Sequence, residues 1–273
     1  MLLREVEYAR PATVEEAVRL LSEHDGARPL AGGQTLVNVM KQRAAAPDVL
    51  VDLAELEELR TIAVAGDTLE LGAMATLAAI VDSSEVDVAR PILAEVARTV
   101  ADVQVRNRGT IGGNVCVNDP TNHLPPLLVA LGASMTVRGS GGERTVPAEE
   151  FFVGVYVTAV GEGELLTRIS VPGRGPGAGD GFAAVTIGAH GTCIANAAAT
   201  VADGRARVAL GCVDAVPVLL EVDAAGDEAV RAAVEGAALE PPADVHASAA
   251  YRRHLAAVSA VRAVRQAAER ARG

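Results

Sequence analysis

Aromatic side chains make up only 2% of the 273 residues. That leaves few surfaces on which nucleic-acid bases could stack. Lysine is nearly missing as well: of 24 basic residues 23 are arginine, and Lys41 is the exception, which limits where lysine-dependent chemistry could sit. The net charge of −11 argues against a phosphate-backbone partner, because such contacts need clustered cations. No nucleic-acid function is expected. The three cysteines, Cys116, Cys193 and Cys212, are odd in number, far apart and without a CxxC pair. They predict neither a disulfide framework nor an iron–sulfur site in this chain, and read as small buried core residues. The five histidines, at 24, 123, 190, 246 and 254, have no cysteine or carboxylate at ligand spacing, and no nucleophile–base pair is visible, so no metal site or catalytic residue is assigned. No apolar run approaches the roughly 18–20 residues of a membrane span. The N-terminus carries charge from its fourth residue and lacks a signal-peptide core, so a cytoplasmic location is expected.

What is present is a chain that is half hydrophobic and 22% charged, the balance of a globular protein with one large or two smaller domains. Residues 1–10 alternate weakly, as a short strand would. Thr13 and Glu16 form a capping box ahead of Val14, Ala17, Val18 and Leu21 at helical spacing, and His24-Asp25-Gly26 ends that helix. Next comes a short apolar strand, a Gly32-Gly33 turn and a helix beginning near Thr35. This layout points backbone N–H groups and a positive helix end at an anion. A tight structural turn is the competing reading, and neither GxGxxG nor a Walker loop is present. Val49–Leu53 reads as a buried strand, residues 59–73 as a hairpin, and Thr76 as the cap of a helix to Val81. Residues 133–138 and 144–146 read as a second hairpin, and Leu165–Val171 as a strand closed by Pro172.

The stretch QVRNRGTIGGNVCVNDPTNHLPP, residues 104–126, holds the second paired glycine. A helix opened by Pro91 leads into it. Gly112 and Gly113 remove the side chains that would keep a ligand from the backbone, so bared amides are expected here too. GRGPGAGDG, residues 173–181, lacks the strand–loop–helix context of a nucleotide loop and reads as a linker and domain boundary. Beyond it, Phe182–Ile187, Cys193–Ala202 and Arg207–Val213 read as strands, with Asp203-Gly204 a two-residue hairpin turn. The chain is expected to turn helical after Pro217. Residues 248–270 form a long helix with Tyr251, Leu255, Val258, Val261 and Val264 on one stripe and arginines, read as solvated surface, opposite. The C-terminal part is thus an antiparallel sheet with helices on one side.

Two paired-glycine turns about 80 residues apart, neither continuing as a Rossmann unit, could cradle a diphosphate between them. AGGQTLVNVMK (31–41), VRNRGTIGGNVCVNDP (105–120) and YRRHLAAV (251–258) resemble the FAD-binding medium subunits of molybdenum hydroxylases, the carbon monoxide dehydrogenase and xanthine dehydrogenase group. The order and spacing of these landmarks match across nearly the whole chain. The resemblance implies an α+β fold: a two-subdomain FAD-binding domain (PCMH-type) over 1–172, with subdomains of about 1–54 and 55–172. A linker, 173–181, and a smaller C-terminal α+β domain, 182–273, would follow. It implies FAD in this chain, held by Ala31, Gly32, Gly33, Gln34 and Thr35 in the first diphosphate loop and by Thr110, Ile111, Gly112, Gly113 and Asn114 in the second. Asp119 and His123 would stand on the isoalloxazine side, and Leu166 would pack on the flavin ring.

The resemblance further implies a small subunit with two [2Fe-2S] clusters and a large molybdopterin subunit as partners, with electrons passing from the clusters through FAD to an external acceptor. The sequence departs from relatives at His123, where an acidic residue is common, and at Ala184, where relatives carry a lysine near the flavin. It departs again at HGTC, 190–193, where many have Gly-Asp-Tyr. His123 could be a partly cationic neighbour of the flavin or a hydrogen-bonded structural histidine. The rival readings are a free-standing flavin oxidoreductase of related fold and a scaffold subunit without FAD. Against the first stands the absence of a recognisable catalytic base or of a His or Cys in the glycine loops that could attach flavin covalently.

Overall fold

The first fifty residues build a small parallel sheet because each of its strands is carried back by a helix. The computed structural model describes residues 3–188, 191–224 and 226–273. Strands β1 (Glu7–Ala9), β2 (Ala27–Leu30) and β3 (Val49–Asp52) lie in the order β1-β3-β2, joined by helices α1 (Val14–Glu23) and α2 (Leu36–Lys41). Helix α1 begins where the capping box predicts. Thr13 Oγ1 accepts from the Glu16 N–H at 3.1 Å, and Glu16 Oε2 accepts from the Ala12 N–H at 2.8 Å. Its buried stripe is Val14, Ala17, Val18 and Leu21, packed with Val49, Val51 and Leu53.

A 3₁₀ turn at Glu57–Arg60 leads to a five-stranded antiparallel sheet. Strands β4 (Ile62–Ala65) and β5 (Thr68–Gly72) form the predicted hairpin, and six short helices follow. These are α3 (Leu77–Asp82), α4 (Ser84–Ala89), α5 (Ile92–Thr99), α6 (Val103–Arg108), α7 (Ile111–Val117) and α8 (Leu124–Ala130). The chain then makes β6 (Ser134–Gly139), β7 (Gly142–Pro147), helix α9 (Ala148–Phe151) and a small hairpin, β8 (Phe152–Gly154) with β9 (Val157–Thr158). Strand β10 (Leu165–Pro172) completes the sheet between β5 and β6, giving the order β4-β5-β10-β6-β7. Leu71, Met135, Val137, Ile169 and Val171 on this sheet bury against Leu93, Val96, Leu127 and Leu128 from the helices.

The last sheet is antiparallel in chain order: β11 (Gly179–Thr186), β12 (Cys193–Ala202), β13 (Arg205–Gly211) and β14 (Val218–Asp223), followed by α10 (Asp227–Gly236) and α11 (Ala249–Arg270). Ala195, Ala197 and Ala199 of β12 belong to the core under α11, whereas Ala198 and Ala209 belong to the core of the preceding sheet. Alanine on both faces lets this sheet lie close to helices on each side. The Asp203-Gly204 turn has φ of +50° and +75°, both in the left-handed region that a two-residue hairpin loop demands.

Four expectations need correction. The segment after Pro217 is the edge strand β14 and becomes helical only at Asp227. The helix opened by Pro91 does not run into the glycine stretch; it ends at Thr99, and α6 intervenes. Gly112 and Gly113 are the second and third residues of α7, not a loop. Of the stretch read as a linker, residues 179–181 are the start of β11. Gly179 and Gly181 face α11 so closely that an added Cβ would lie 2.0 Å from the carbonyl oxygens of Ala267 and Ala263. Between them Asp180 forms a buried bidentate pair with Arg90, at 2.9 Å for both Nε–Oδ2 and Nη2–Oδ1. Arg90 also donates to the carbonyls of Pro172 and Gly173, at 2.9 and 3.0 Å. The glycine-rich stretch is pinned at both ends.

Candidate functional site

Strand β2 stops at Leu30, and residues 31–35 turn the chain into α2. Gly33 supplies the left-handed backbone of that turn, with φ of +72°. Gly32 lies against the backbone of the facing segment: a Cβ there would be 2.1 Å from the Arg108 carbonyl oxygen and 2.9 Å from Gly109 Cα. The carbonyls of Gly33 and Thr35 accept from Val37 and Val39 as α2 begins. The backbone N–H groups of Gly32, Gly33, Gln34 and Thr35, in contrast, meet no acceptor among the described residues. Four adjacent donors without partners form a positive edge suited to an anion.

The facing segment is built differently. Thr110 caps α7, its Oγ1 accepting from the Gly113 N–H at 3.0 Å, and its carbonyl accepts from Asn114 at 3.0 Å. The N–H groups of Ile111 and Gly112 donate to Ala75 and Ala73, each at 2.9 Å. All four amides are therefore engaged within the protein, and the expectation of bared amides on both sides holds only for residues 32–35. Gly112 is small for packing: its Cβ would meet Ala73 Cβ and O at 2.6 Å. What α7 presents is the flat backbone of Gly113 and the side chains of Thr110 and Asn114. Asn114 Oδ1 is buried with no hydrogen-bond partner, which costs free energy unless a donor arrives.

These two edges bound a cavity of about 710 Å³, within the range of small-molecule and cofactor sites. Its apolar wall includes Leu53, Met74, Val160, Leu165 and Leu166, and its ionisable side chains include His24, Arg28, Glu162 and Glu164. Glu164 is fixed by the Arg144 guanidinium, with Nε–Oε1 at 3.1 Å and Nη2–Oε2 at 2.6 Å, and by the Gly161 N–H at 2.7 Å. The Arg144 bond, followed by that amide and against desolvation, holds its carboxyl below the usual range. Tyr156 stands at the edge with a left-handed φ of +60°, and the nearby Asp119 carboxylate raises its phenol.

Ala31, Gly32, Gly33, Gln34, Thr35, Thr110, Gly112, Gly113, Asn114 and Leu166 all line this one cavity. Ile111 does not; its side chain is fully buried in the core beneath. Asp119 and His123 also lie off the lining. Asp119 closes its own turn, accepting from the Thr121 N–H and Oγ1 at 2.8 Å. His123 Nδ1 contacts Thr99 Oγ1 at 3.2 Å, and its ring tilts against Phe182 with centroids 5.3 Å apart. Ala184 sits in β11 opposite Asn196, and the exposed Lys41 is not on the lining. Of the HGTC departure, His190 lies outside the described residues. Sequence reasoning missed the wall formed by Tyr156–Thr158 and Val160–Glu164; the alternation in VYVTAV between Gly154 and Gly161 was the available signal.

The family described as FAD binding domain in molybdopterin dehydrogenase matches residues 4–174. Carbon monoxide dehydrogenase medium chain of Afipia carboxidovorans is 36% identical, over 97% of this chain and 98% of its own. Nicotine 6-hydroxylase medium subunit of Paenarthrobacter nicotinovorans is 35% identical, over 93% and 94%. Among solved structures, a reconstituted CO dehydrogenase from Oligotropha carboxidovorans superposes with a TM-score of 0.94 at 35% identity, covering 99% of this chain and 100% of that one.

Proposed function

The chain belongs to the family of FAD-binding medium subunits of molybdopterin-dependent dehydrogenases, and from that membership we propose that it carries electrons through an FAD held in the cavity between residues 31–35 and α7. The observation that carries this reading is the pairing of four unpartnered amides, Gly32 to Thr35, with the unpartnered Asn114 Oδ1 on the opposite wall. The amides and the Thr35 and Thr110 hydroxyls would hold the diphosphate, and Asn114 Oδ1 would accept from a donor on the cofactor. Leu166 and its apolar neighbours would cover the ring system and keep water from it. Bound FAD supplies the ability to take electrons one or two at a time, and that chemistry belongs to the cofactor. This chain contributes position, neutralisation of the diphosphate and exclusion of solvent.

The partners proposed are a small iron–sulfur subunit with two [2Fe-2S] clusters, which delivers electrons, and a large molybdopterin subunit where substrate is oxidised. The relatives' description as medium chains and subunits of dehydrogenases and hydroxylases supports an assembly of that kind. Asp119 and His123 are proposed to shape the approach to the flavin from outside the cavity, through the Tyr156 contact and the Phe182 packing. The test is direct. Purified protein should be yellow, release FAD on denaturation in near-equal stoichiometry, and co-purify with the two partner subunits from its native host. A colourless protein whose melting temperature is unmoved by added FAD would overturn the flavin assignment.

A further inference from the structure

Cysteines 193 and 212, taken one at a time, are small core residues; the fold brings them to one point. Cys193 opens β12 at a β-bulge, where pairing with β11 slips between Ala195↔Val185 and Cys193↔Thr186. The slip turns Cys193 toward the sheet face that carries Asn196. Cys212 follows the last residue of β13 with φ of +65°, a conformation few non-glycine residues take. Both irregularities aim sulfur at the fully buried Asn196, whose Nδ2 lies 3.5 Å from Cys193 Sγ, 3.5 Å from Cys212 Sγ and 3.3 Å from the Asn122 carbonyl. Arg252, itself buried, donates to the carbonyls of Ile194 at 2.7 Å and Cys212 at 3.4 Å, fixing both strand ends.

The Cys212 thiol and the His123 ring both neighbour Cys193. The Cys193 thiol is held well below the usual range by these contacts, and Cys212 is pushed up by its contact with Cys193 and by burial. Cys116 has burial alone and is pushed up to about 12. A small cleft of about 10 Å³, bordered by Asn118, Asp119, Asn122 and Asp214, touches Cys212 but not the equally buried Cys193, so peroxide reaches the pair only as this face opens.

We propose that Cys193 and Cys212 form a peroxide-sensitive dithiol that closes to an intrachain disulfide where the C-terminal sheet meets the turn at residues 119–123. The Cys193 thiolate attacks one oxygen of hydrogen peroxide, the O–O bond breaks, and a sulfenic acid forms as hydroxide leaves. Cys212 sulfur then displaces that hydroxyl from Cys193, its own proton leaving with it as water. Two thiols lose two electrons and two protons, and one peroxide becomes two waters. Closure removes the thiolate beside His123 and draws Asn196 off the sulfurs, so the Asn122–His123 turn senses the change. The proposal is independent of the flavin reading, because its readout is the thiols.

The full-length chain is exposed to hydrogen peroxide at neutral pH, denatured with an alkylating reagent, and digested without reduction for mass spectrometry. The expected product is a linked Cys193–Cys212 peptide pair, two hydrogens lighter than the dithiol and reversed by dithiothreitol. Cys116 stays reduced, oxidising slower than Cys193 by on the order of tenfold or more. In Cys212→Ser the link is absent and Cys193 is trapped as sulfenic acid by dimedone. Three thiols fully alkylated after peroxide, or Cys116 oxidised as fast as Cys193, overturns the proposal.

Discussion

Replacing Gly32 with alanine tests whether the contact between residues 31–35 and the Arg108–Gly109 backbone holds the site together. The added carbon would stand 2.1 Å from the Arg108 carbonyl oxygen, 2.7 Å from its carbonyl carbon and 2.9 Å from Gly109 Cα. All three neighbours are backbone, so no side chain can rotate away, and the two segments must part by at least about 1 Å to restore normal contact. Overpacking of this kind costs about 1–3 kcal/mol. In a chain of this size about 2 kcal/mol lowers the melting temperature by roughly 4–8 °C. If FAD spans the joint, the same energy raises its dissociation constant roughly 5- to 150-fold. Differential scanning fluorimetry with and without FAD, together with flavin absorbance of the purified variant, reads both effects. Gly141→Ala is the control, since an added Cβ there has nothing within 4 Å. A Gly32→Ala protein that melts like the parent and keeps its full flavin content refutes the argument.

Asn114→Ala should separate ligand binding from stability. It removes an unpartnered buried oxygen, so the protein without ligand should melt within about 1 kcal/mol of the parent while FAD affinity, measured by titration, falls roughly 10-fold or more. Gly113→Val places its Cβ 2.9 Å from Thr110 Oγ1 and 3.6 Å from Ala31 Cβ; flavin absorbance should be lost while circular dichroism stays that of the folded chain. Arg90→Met strands the Asp180 carboxylate in the interior and should lower stability in urea by about 3–5 kcal/mol, with Arg90→Met/Asp180→Leu recovering most of it. Because Glu164 has a lowered pKa in the fold, the stability it adds is present above the ordinary glutamate range and lost as pH falls through its lowered value. Melting temperature plotted against pH should accordingly be flatter on the acid side in Glu164→Gln.

Local chemistry was legible wherever a side chain or a backbone preference acts on its own neighbours. Thr13 and Glu16 announced α1, and Asp203-Gly204 announced its hairpin, because caps and left-handed turns are settled within four residues. The ten residues that share the cavity were legible through the two paired glycines and the family they resemble. The destination of each amide was not. The glycines at 112 and 113 look as permissive as those at 32 and 33, yet the Gly113 N–H goes to the local Thr110 cap and the Gly112 N–H to Ala73, a partner fixed by how α7 docks on the end of β5. Where Asp119 and His123 sit relative to the cavity was not legible for a similar reason, since a turn's side chains can face the cavity or the next sheet and only packing decides. Strand β14 was hidden by its position: Pro217 ends one segment, and VLLEVD then pairs along Arg205–Leu210 with no turn signal of its own. Glycine at every second position from 173 to 181 looked like slack chain; at 179 and 181 it is the spacing of one strand face pressed on a helix.

The wall of the cavity draws on Gly32 near the start of the chain, Asn114 near its middle and Leu166 on the strand that completes the five-stranded sheet. A nascent chain leaving the ribosome exposes the first of these long before the last. The early sheet can close on itself with its amides still bare, but the pocket has no lid or floor until β10 threads between β5 and β6. Loading of any occupant thus waits until the chain has been made through β10, and cofactor supply can act while the C-terminal sheet is still to come.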